Sequence, residues 1–390
     1  MYKVQTFNLI AARGLTRFPE AAFEHGPDLQ DPHALLLRSH KLQVSELGAQ
    51  LRAVARAGAG VNNVPVEECS KRGIVVFNTP GANANSVKEL VMTALLLASR
   101  DIIGGIQYAR SLDGVQDSEQ LNTLVEKEKK RFKGNELMGK SLGVVGLGAI
   151  GSLVARAALD MGMDVLGFDP AISVDAAWRL PSEVHRMENL PSLFAQSDYV
   201  TLHIPFMEAT KNLINADALA GFHKGSVLLN FARQGVVDEQ ALSDALQNNH
   251  LRAYFSDFPS TLFGSSPKVF STPHLGASTS EAEENCAVMA VNQLVDFLQN
   301  GNIHNSVNFP RVTLERTEGF RLAITNQNVS GMLAQLLAIM ADHDINVIDM
   351  INKSHEDVAY NLIDIDTPPR EELVAAINAI DSVLNVRLFD

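Results

Sequence analysis

Short apolar runs alternate with amphipathic stretches along most of the chain. In the first third, the runs have the length of buried strands and end in turn residues: Ala34–Leu37, Ala53–Ala55 and Gly73–Phe77. The stretch 85–103 keeps one face apolar at helical spacing and predicts a helix. Later runs predict five more strands: Leu142–Val145, Asp164–Phe168, Tyr199–His203, Ser226–Asn230 and Leu251–Phe255. Strands that alternate with helices indicate doubly wound parallel sheets of the α/β class.

A different order of elements is predicted after Leu314. The pattern indicates strand, helix, strand, strand, helix and strand in turn: 320–325, 331–342, 345–352, 359–366, 370–380 and 383–389. This βαββαβ order describes a small ferredoxin-like module. The Asn-rich stretch 300–310 that precedes it is predicted to be a hinge.

Length and charge narrow the possible functions. The chain has 390 residues, enough for two or three domains, and 32 Lys and Arg stand against 45 Asp and Glu, a net charge of −13. Nucleic acids and anionic membranes need a positive field, so neither is expected as a partner. The chain has two cysteines and no recognisable signal peptide or membrane span. A soluble, cytoplasmic protein is therefore predicted.

A glycine fingerprint for a dinucleotide lies between a predicted strand and a predicted helix. Gly146, Gly148 and Gly151 have the spacing that allows a tight turn, close approach to a pyrophosphate and close helix packing. Asp169 ends the next strand, where a carboxylate binds ribose hydroxyls and repels a 2′-phosphate. This arrangement predicts NAD rather than NADP. The alternative is an ordinary βαβ turn.

A second glycine motif, Gly134–Ser141, matches the P-loop pattern letter for letter. A P-loop requires a strand before it and a helix after it, so that the helix N-terminus faces the phosphates. This stretch follows a polar, basic segment and precedes an apolar strand. We therefore do not interpret it as a nucleoside triphosphate site.

Two side chains suit hydride transfer at a hydroxy acid. Arg233 follows a predicted strand and can bind a carboxylate with two parallel hydrogen bonds. His274 can act as the general base for a hydroxyl proton, since imidazole titrates near neutral pH. Taken singly, a surface Arg and a loop His remain alternative interpretations. No cluster of Cys and His has metal-ligand spacing, so no metal is predicted.

Several segments together resemble the D-isomer-specific 2-hydroxyacid dehydrogenases. They are the glycine fingerprint and four further stretches: 55–63, 78–81, 230–238 and 273–279. The resemblance spans nearly the whole chain, and the C-terminal module resembles an ACT domain. It implies two Rossmann-like doubly wound lobes, the substrate lobe being discontinuous. The implied domains are 1–88 with 270–310 for substrate, 89–269 for NAD and 314–390 for regulation.

The resemblance also assigns roles to individual residues. Arg233 and His274 are the implied catalytic residues. Besides the three glycines and Asp169, the residues implied to line the NAD site are Thr79, Ala149, Ile150, Ile204, Phe231, Ala232 and Asp257. Arg56, Arg38 and Asn83 are implied to bind the substrate, whose phosphate needs cations. Arg131 or Lys133 of a neighbouring subunit is a further candidate. Asn326, Asn328 and Asn346 are implied to bind an amino-acid effector such as serine.

One departure from the family pattern affects the catalytic group. The family places a Glu that hydrogen-bonds the catalytic His five residues after the position of Asp257, where this chain has Leu262. No Asp or Glu occurs from Phe258 to Ser280. Without that carboxylate the imidazolium loses a stabilising partner, which weakens the acid step of reduction. Asp257 or Glu281 is a candidate substitute.

The implied function is NAD-dependent oxidation of D-3-phosphoglycerate to 3-phosphohydroxypyruvate, the first step of phosphorylated serine biosynthesis. A homodimer or homotetramer is expected. Two alternatives stay open. One is a dehydrogenase of another D-2-hydroxy acid, and the other is a non-catalytic sensor of NAD and amino acids, which the missing Glu suggests.

Overall fold

The computed structural model describes residues 1–264 and 266–389. The chain forms two compact units. The first unit comprises Met1–Asn83 and Ser280–Asp390, and the second comprises Ala84–Thr279. These boundaries differ from the expected 88/89 and 269/270, because the long helix begins at Ala84 and the strand Val269–Ser271 belongs to the sheet of the second unit.

The first unit begins with a five-stranded parallel sheet. Its strands and helices are β1 Tyr2–Thr6, α1 Ala12–Leu15, β2 Phe23–Gly26, β3 Ala34–Leu37, β4 Ala53–Arg56, α2 Val66–Lys71 and β5 Val75–Phe77. The strand order is β2-β1-β3-β4-β5, and every pair is parallel. Strands β3 and β5 are buried along their whole length, as their unbroken apolar runs predict.

The second unit contains a seven-stranded sheet. Its helices are α3 Ala84–Ser99, α4 Ile102–Ser111, α5 Ser118–Glu128, α6 Ala149–Asp160, α7 Val174–Ala177, α8 Leu190–Gln196, α9 Ala216–Ala220 and α10 Glu239–Gln247. Its strands are β6 Ser141–Val145, β7 Asp164–Phe168, β8 His185–Arg186, β9 Tyr199–Leu202, β10 Val227–Asn230, β11 Ala253–Ser256 and β12 Val269–Ser271. Short 3₁₀ turns in the chain lie at Val44–Glu46, Lys129–Phe132, Glu208–Thr210 and Gln234–Val236.

The order of this sheet places its switch point at β6. The strands run β12-β11-β10-β9-β6-β7-β8, all parallel, so the chain turns away from β6 in two directions. Ligands of open parallel sheets bind outside the carboxyl ends of the strands at such a point. The doubly wound prediction is confirmed.

The remainder of the first unit is a long helix and a C-terminal module. The elements are α11 Ser280–Asn300, β13 Phe320–Gln327, α12 Met332–Asp342, β14 Val347–His355, β15 Val358–Ile365, α13 Glu371–Asn378 and β16 Val383–Phe389. The sheet is antiparallel, in the order β14-β15-β13-β16. The predicted βαββαβ order is confirmed. One face of the sheet packs on α12 and α13, while Tyr360, Leu362 and Phe389 on the other face share a core with Phe77 and Phe297.

One prediction about a segment was wrong. The stretch 300–310 is not a hinge, because Ile303 and Phe309 are buried and the Asn308 side chain bonds to Val76 N–H and to the carbonyl of Ile74. Asparagine is common in loops, but here the side-chain amide of Asn308 makes the hydrogen bonds that a further strand would make to the edge strand β5. The polar stretch 107–133, for which no element was predicted, is mostly helical. Among the described residues, no helix combines the length and apolarity needed to cross a membrane.

Candidate active site

The glycine fingerprint forms the turn from β6 into α6. Gly146 has φ of +91°, a left-handed conformation that glycine adopts without a Cβ penalty. A Cβ at Gly151 would collide with the carbonyl oxygen of Gly146, so the helix can pack this closely only without a side chain. A Cβ at Gly148, before Ala149 and Ile150 at the start of α6, would meet nothing within 4 Å. The open space at this helix N-terminus fits a pyrophosphate.

Asp169 lies directly after β7, beside this turn. Its Oδ2 accepts a hydrogen bond from the Leu147 N–H at 2.8 Å, and its Oδ1 accepts one from the Ala171 N–H at 2.9 Å. A carboxylate oxygen has two lone pairs, so each retains acceptor capacity for a ribose hydroxyl. The residues of the turn and Asp169 together fit a dinucleotide.

Arg233 follows β10 on the same edge of the sheet. The Asn230 side chain donates to the Arg233 carbonyl at 2.9 Å and accepts from the Ala232 N–H at 3.1 Å, which fixes the backbone here. Arg233 itself is exposed, and its Nη1 donates to the Ala232 carbonyl at 2.7 Å. Phe231 and Ala232 are buried beside it, and Ile204 follows the neighbouring strand β9.

His274 follows β12 and is also exposed. Its φ is +58°, an uncommon conformation for a residue with a Cβ, and its N–H lies 3.0 Å from the Asp257 carbonyl and 2.9 Å from the Thr272 carbonyl. The imidazole lies against the Phe258 ring, with centroids 5.1 Å apart. The backbone of His274 is fixed by these hydrogen bonds and its ring is exposed, which suits the imidazole to proton transfer with a substrate.

Asp257 organises the loop that carries His274. Its carboxylate is 3% exposed and accepts from Thr272 Oγ1 at 2.6 Å, Leu275 N–H at 2.7 Å and Gly276 N–H at 2.7 Å. These bonds are directed to the loop and not to the ring, so Asp257 does not replace the missing Glu. Leu262 is 45% exposed, and within residues 1–264 and 266–389 no carboxylate is hydrogen-bonded to the His274 ring.

The residues expected at the substrate lie in the first unit. Arg38 follows β3 and Arg56 is the last residue of the adjacent strand β4, and Arg56 Nε donates to the Arg38 carbonyl at 3.1 Å. Arg56 Nη1 donates to the Gly60 carbonyl, and Arg38 pairs with Glu283 at 2.8 Å. The two arginines are therefore brought together at one edge. Asn83 lies in the turn that ends this part of the unit, just before α3.

Thr79, which the resemblance places at the cofactor, lies in the core of the first unit. Its side chain is fully buried beside the Cys286 thiol. In this conformation a ligand has no access to the Thr79 side chain. A contact of Thr79 with NAD therefore remains an expectation of the resemblance.

The three effector candidates do not come together in one chain. Asn326 is 1% exposed, and its amide bonds to the Gln327 carbonyl and to Asn361. Asn328 is exposed beside it and donates to the Glu356 carbonyl. Asn346 precedes Val347, which pairs with Ile365, whereas Asn326 pairs with Ala359. Six residues along β15 separate these partners, about 20 Å at the rise of a strand.

His203 directly follows β9, next to the glycine turn. Its Nε2 hydrogen-bonds Thr201 Oγ1 at 2.9 Å, while its Nδ1 is buried without a hydrogen-bond partner among the described residues. Burial lowers the pKa of His203 to about 3. The imidazole is therefore neutral in the folded protein at all but strongly acidic pH.

We expect acid to destabilise the second unit through His203. In the unfolded chain this imidazole takes up a proton below about pH 6.5, whereas in the folded protein it stays neutral down to about pH 3. His203 therefore does not lower the free energy of unfolding above pH 6.5, and lowers it progressively as the pH falls from 6.5 toward 3. The loss is at most about 1.4 kcal/mol per pH unit. Urea unfolding between these pH values should show a shallower pH slope for His203→Gln. Parallel slopes for both proteins would contradict the assignment.

Sequence reasoning missed one residue of this edge. Glu239, the first residue of α10, bonds to Gln234 and to Ser260. An Asp followed by Glu is typical of a helix N-terminus and carries no signal of the bond to Ser260, which is remote in sequence. In the part of the chain that is described, no group of three or more His, Cys, Asp or Glu could hold a metal ion.

Comparison with known proteins agrees with this geometry. Residues 102–276 match the family described as D-isomer specific 2-hydroxyacid dehydrogenase, NAD binding domain. The D-3-phosphoglycerate dehydrogenase of Haemophilus influenzae is 31% identical over 379 residues, which cover 92% of this chain and 87% of that one. The protein of the same name from Methanocaldococcus jannaschii is 32% identical over 336 residues, covering 83% of this chain. The match spans 60% of the length of the Methanocaldococcus protein.

A solved structure shows the same architecture. The 3-phosphoglycerate dehydrogenase of Entamoeba histolytica, determined with NAD⁺ bound, superposes with a TM-score of 0.61 at 25% identity. The superposition covers 79% of this chain and 98% of that one. The glycine turn, Asp169 and the Arg233 and His274 loops thus lie on a sheet whose sequence and fold are shared with known enzymes. The chain belongs to the D-isomer-specific 2-hydroxyacid dehydrogenases and contains the NAD-binding domain of that family.

Proposed function

We propose that the protein oxidises D-3-phosphoglycerate to 3-phosphohydroxypyruvate with NAD⁺, as the first step of phosphorylated serine synthesis. The observation that carries this proposal is the placement of Arg233 and His274 on the carboxyl edge that also carries the glycine turn. The names of the relatives from Haemophilus and Methanocaldococcus support the choice of substrate. The second unit is assigned to NAD, and the first sheet with α11 to the substrate.

The chemistry divides between two side chains. Arg233 binds the substrate carboxylate through its planar guanidinium and keeps the neighbouring carbon in place. His274 takes the proton of the 2-hydroxyl group as the carbonyl forms, and returns it during reduction. NAD⁺, when bound, supplies the acceptor for the hydride that leaves the same carbon.

The phosphate is assigned to Arg38 and Arg56. They lie on adjacent strand ends and provide two cations at one edge of the first unit. Arg56 is held against its own loop by Gly60, so its charge has a defined place before substrate binds.

The test is a steady-state assay of NADH formation with D-3-phosphoglycerate, D-glycerate and D-lactate. We expect kcat/KM to be highest for the phosphorylated acid. Arg56→Ala should lower that value and leave the plain acids nearly unchanged. Equal values for all three substrates, or preference for an unphosphorylated one, would favour a dehydrogenase of another D-2-hydroxy acid.

The sensor alternative has one observation in its favour, the absence of a carboxylate at position 262. If neither the native chain nor Leu262→Glu turned over any hydroxy acid while both bound NADH, the sensor would be the better assignment. Arg233 and His274 are both exposed at the carboxyl edge of the sheet, which favours a dehydrogenase over a sensor.

Cofactor selectivity gives a prediction at Asp169. Its carboxylate beside the glycine turn should repel a 2′-phosphate, so NADH should bind more tightly than NADPH. Asp169→Ala should narrow the difference by roughly 10-fold or more, since one charge-assisted hydrogen bond is lost. Calorimetric titration of both proteins with both cofactors measures this. NADPH binding as tight as NADH binding in the native chain would refute the prediction.

We also propose a homodimer or homotetramer in the cytoplasm. Helices α4 and α5 have no buried residue, and they expose apolar side chains: Ile106 on α4 is 48% exposed and Val125 on α5 is 39% exposed. Contact between copies would cover these apolar side chains. Sedimentation velocity should then show a species larger than the 42.4 kDa chain. Serine as an effector at Asn326, Asn328 and Asn346 is a further proposal, and it requires these residues to be contributed by two copies of the chain. Isothermal titration with serine tests it.

A further inference from the structure

The carboxylate of Glu239 joins two loops of the second unit. Glu239 Oε1 accepts a hydrogen bond from Gln234 Nε2 at 3.0 Å, and Oε2 accepts one from Ser260 Oγ at 2.7 Å. Glu239 is the first residue of α10, whose N-terminus is fixed by the bond from Ala241 N–H to the Asp238 side chain. A rigid helix end thus holds both loops through one charged group.

The first loop carries Arg233. Gln234 is its immediate neighbour, and on the other side Asn230 bonds to the Arg233 carbonyl. The backbone of Arg233 is therefore tied both to the end of β10 and, through Gln234, to α10. Because the guanidinium must meet a carboxylate in a defined plane, the position of the Arg233 backbone determines whether the guanidinium is correctly oriented.

The second loop reaches His274. Ser260 Oγ accepts a hydrogen bond from the Leu262 N–H at 3.3 Å while it donates to Glu239, so it holds the turn 260–262. Phe258 begins the same segment and packs its ring against the His274 imidazole, with an angle of 60° between the rings. The position of Ser260 therefore influences the surface on which the imidazole rests.

We propose that Glu239 is a positioning residue for the dehydrogenase reaction, holding the Arg233 loop through Gln234 and the Phe258–Leu262 segment beside His274 through Ser260. Glu239 thus supplies a carboxylate to this segment from helix α10, whereas the segment's own position 262, where the family has a Glu, is occupied by Leu. This inference rests on the proposed function for its kinetic consequence. The bridge itself is a structural claim that can be measured without turnover.

The kinetic test compares Glu239→Gln and Ser260→Ala with Gln240→Ala. Gln240 is the next residue of the same helix, is exposed, and donates a side-chain hydrogen bond to Asp244 one turn further along α10. We expect kcat to fall roughly 10-fold in the two bridge variants, since small displacements of catalytic groups are costly, with KM for NAD⁺ nearly unchanged. Ser260→Thr, which keeps the hydroxyl, should restore kcat.

The two bridge variants should also be non-additive. Once Ser260 is Ala, Glu239→Gln should lower kcat by much less than it does alone, because the shared link is already lost. Equal losses in both backgrounds, or an equal loss in Gln240→Ala, would overturn the proposal.

A spectroscopic test is independent of activity. The ring current of Phe258 should shift the ¹H resonance of the His274 Cε1–H group, because the two rings are in contact. This resonance can be followed in protein labelled at ¹³Cε1 of histidine and assigned by its loss in His274→Asn. Ser260→Ala and Glu239→Gln should move this resonance toward its position in Phe258→Leu, and Gln240→Ala should not. If the native chain oxidised no hydroxy acid, the proposed function would fail and this resonance would still decide on the bridge. An unmoved resonance in both variants would disprove the bridge.

Discussion

His274→Ala should lower kcat for hydroxy-acid oxidation by about 10²- to 10⁴-fold, the usual contribution of a general base. The imidazole is exposed on a loop whose backbone is held by Asp257, so its loss removes the base without disturbing a core. Arg233→Lys should lower kcat/KM by roughly 10- to 100-fold, because an ammonium group cannot bind a carboxylate with two parallel bonds. NADH affinity should stay near the native value in both variants.

The controls for this prediction lie at the other end of the sheet. His223 is exposed just before β10, and Arg252 precedes β11, so both are remote from the carboxyl edge. His223→Ala and Arg252→Lys should retain native kcat. Steady-state kinetics with saturating NAD⁺ makes the comparison, and native turnover in His274→Ala or Arg233→Lys would remove that residue from the mechanism.

Arg321→Met should destabilise the C-terminal module by about 3–5 kcal/mol, the cost of leaving one member of a buried ion pair alone. Arg321 and Asp364 are 0% and 1% exposed, and the guanidinium donates to both carboxylate oxygens, at 2.6 and 2.9 Å. Its other donors reach the carbonyls of Asn300, Leu314 and Glu315. Burial alone raises the pKa of Asp364, but the bonds and charge of Arg321 outweigh it and hold that pKa below its usual value.

Hydrogen exchange of the β13 and β15 amides under native conditions measures this loss. Arg321→Met/Asp364→Leu should recover much of it, because neither member of this pair then leaves an unpartnered charge in the core. Arg72 pairs with Glu68 at the surface, and Arg72→Met should cost less than about 1 kcal/mol. Equal costs for Arg321→Met and Arg72→Met would contradict the buried-pair assignment.

The sequence alone was sufficient for features that depend on local geometry. Strand β7 has the predicted bounds Asp164–Phe168, and β16 the predicted bounds Val383–Phe389, because apolar periodicity reflects the backbone repeat itself. The glycine turn at Gly146 was recognisable for a similar reason, since its conformation excludes most other residues. The common direction of strands in a parallel sheet then places the carboxyl ends of β6, β7 and β10 on one edge, whereas β12, which precedes His274, was not predicted.

Only the tertiary structure decided how side chains remote in sequence are paired. The Asp257 bonds to the His274 loop, the bridge from Glu239 to Ser260 and the ion pair of Arg321 with Asp364 join segments 15 to 43 residues apart. Asn308 was misread as part of a hinge for the same cause, because its partners at Ile74 and Val76 precede it by more than half the chain. Periodicity determines which face of a strand or helix is apolar, but which polar groups meet depends on the packing of whole elements, and no local pattern records it.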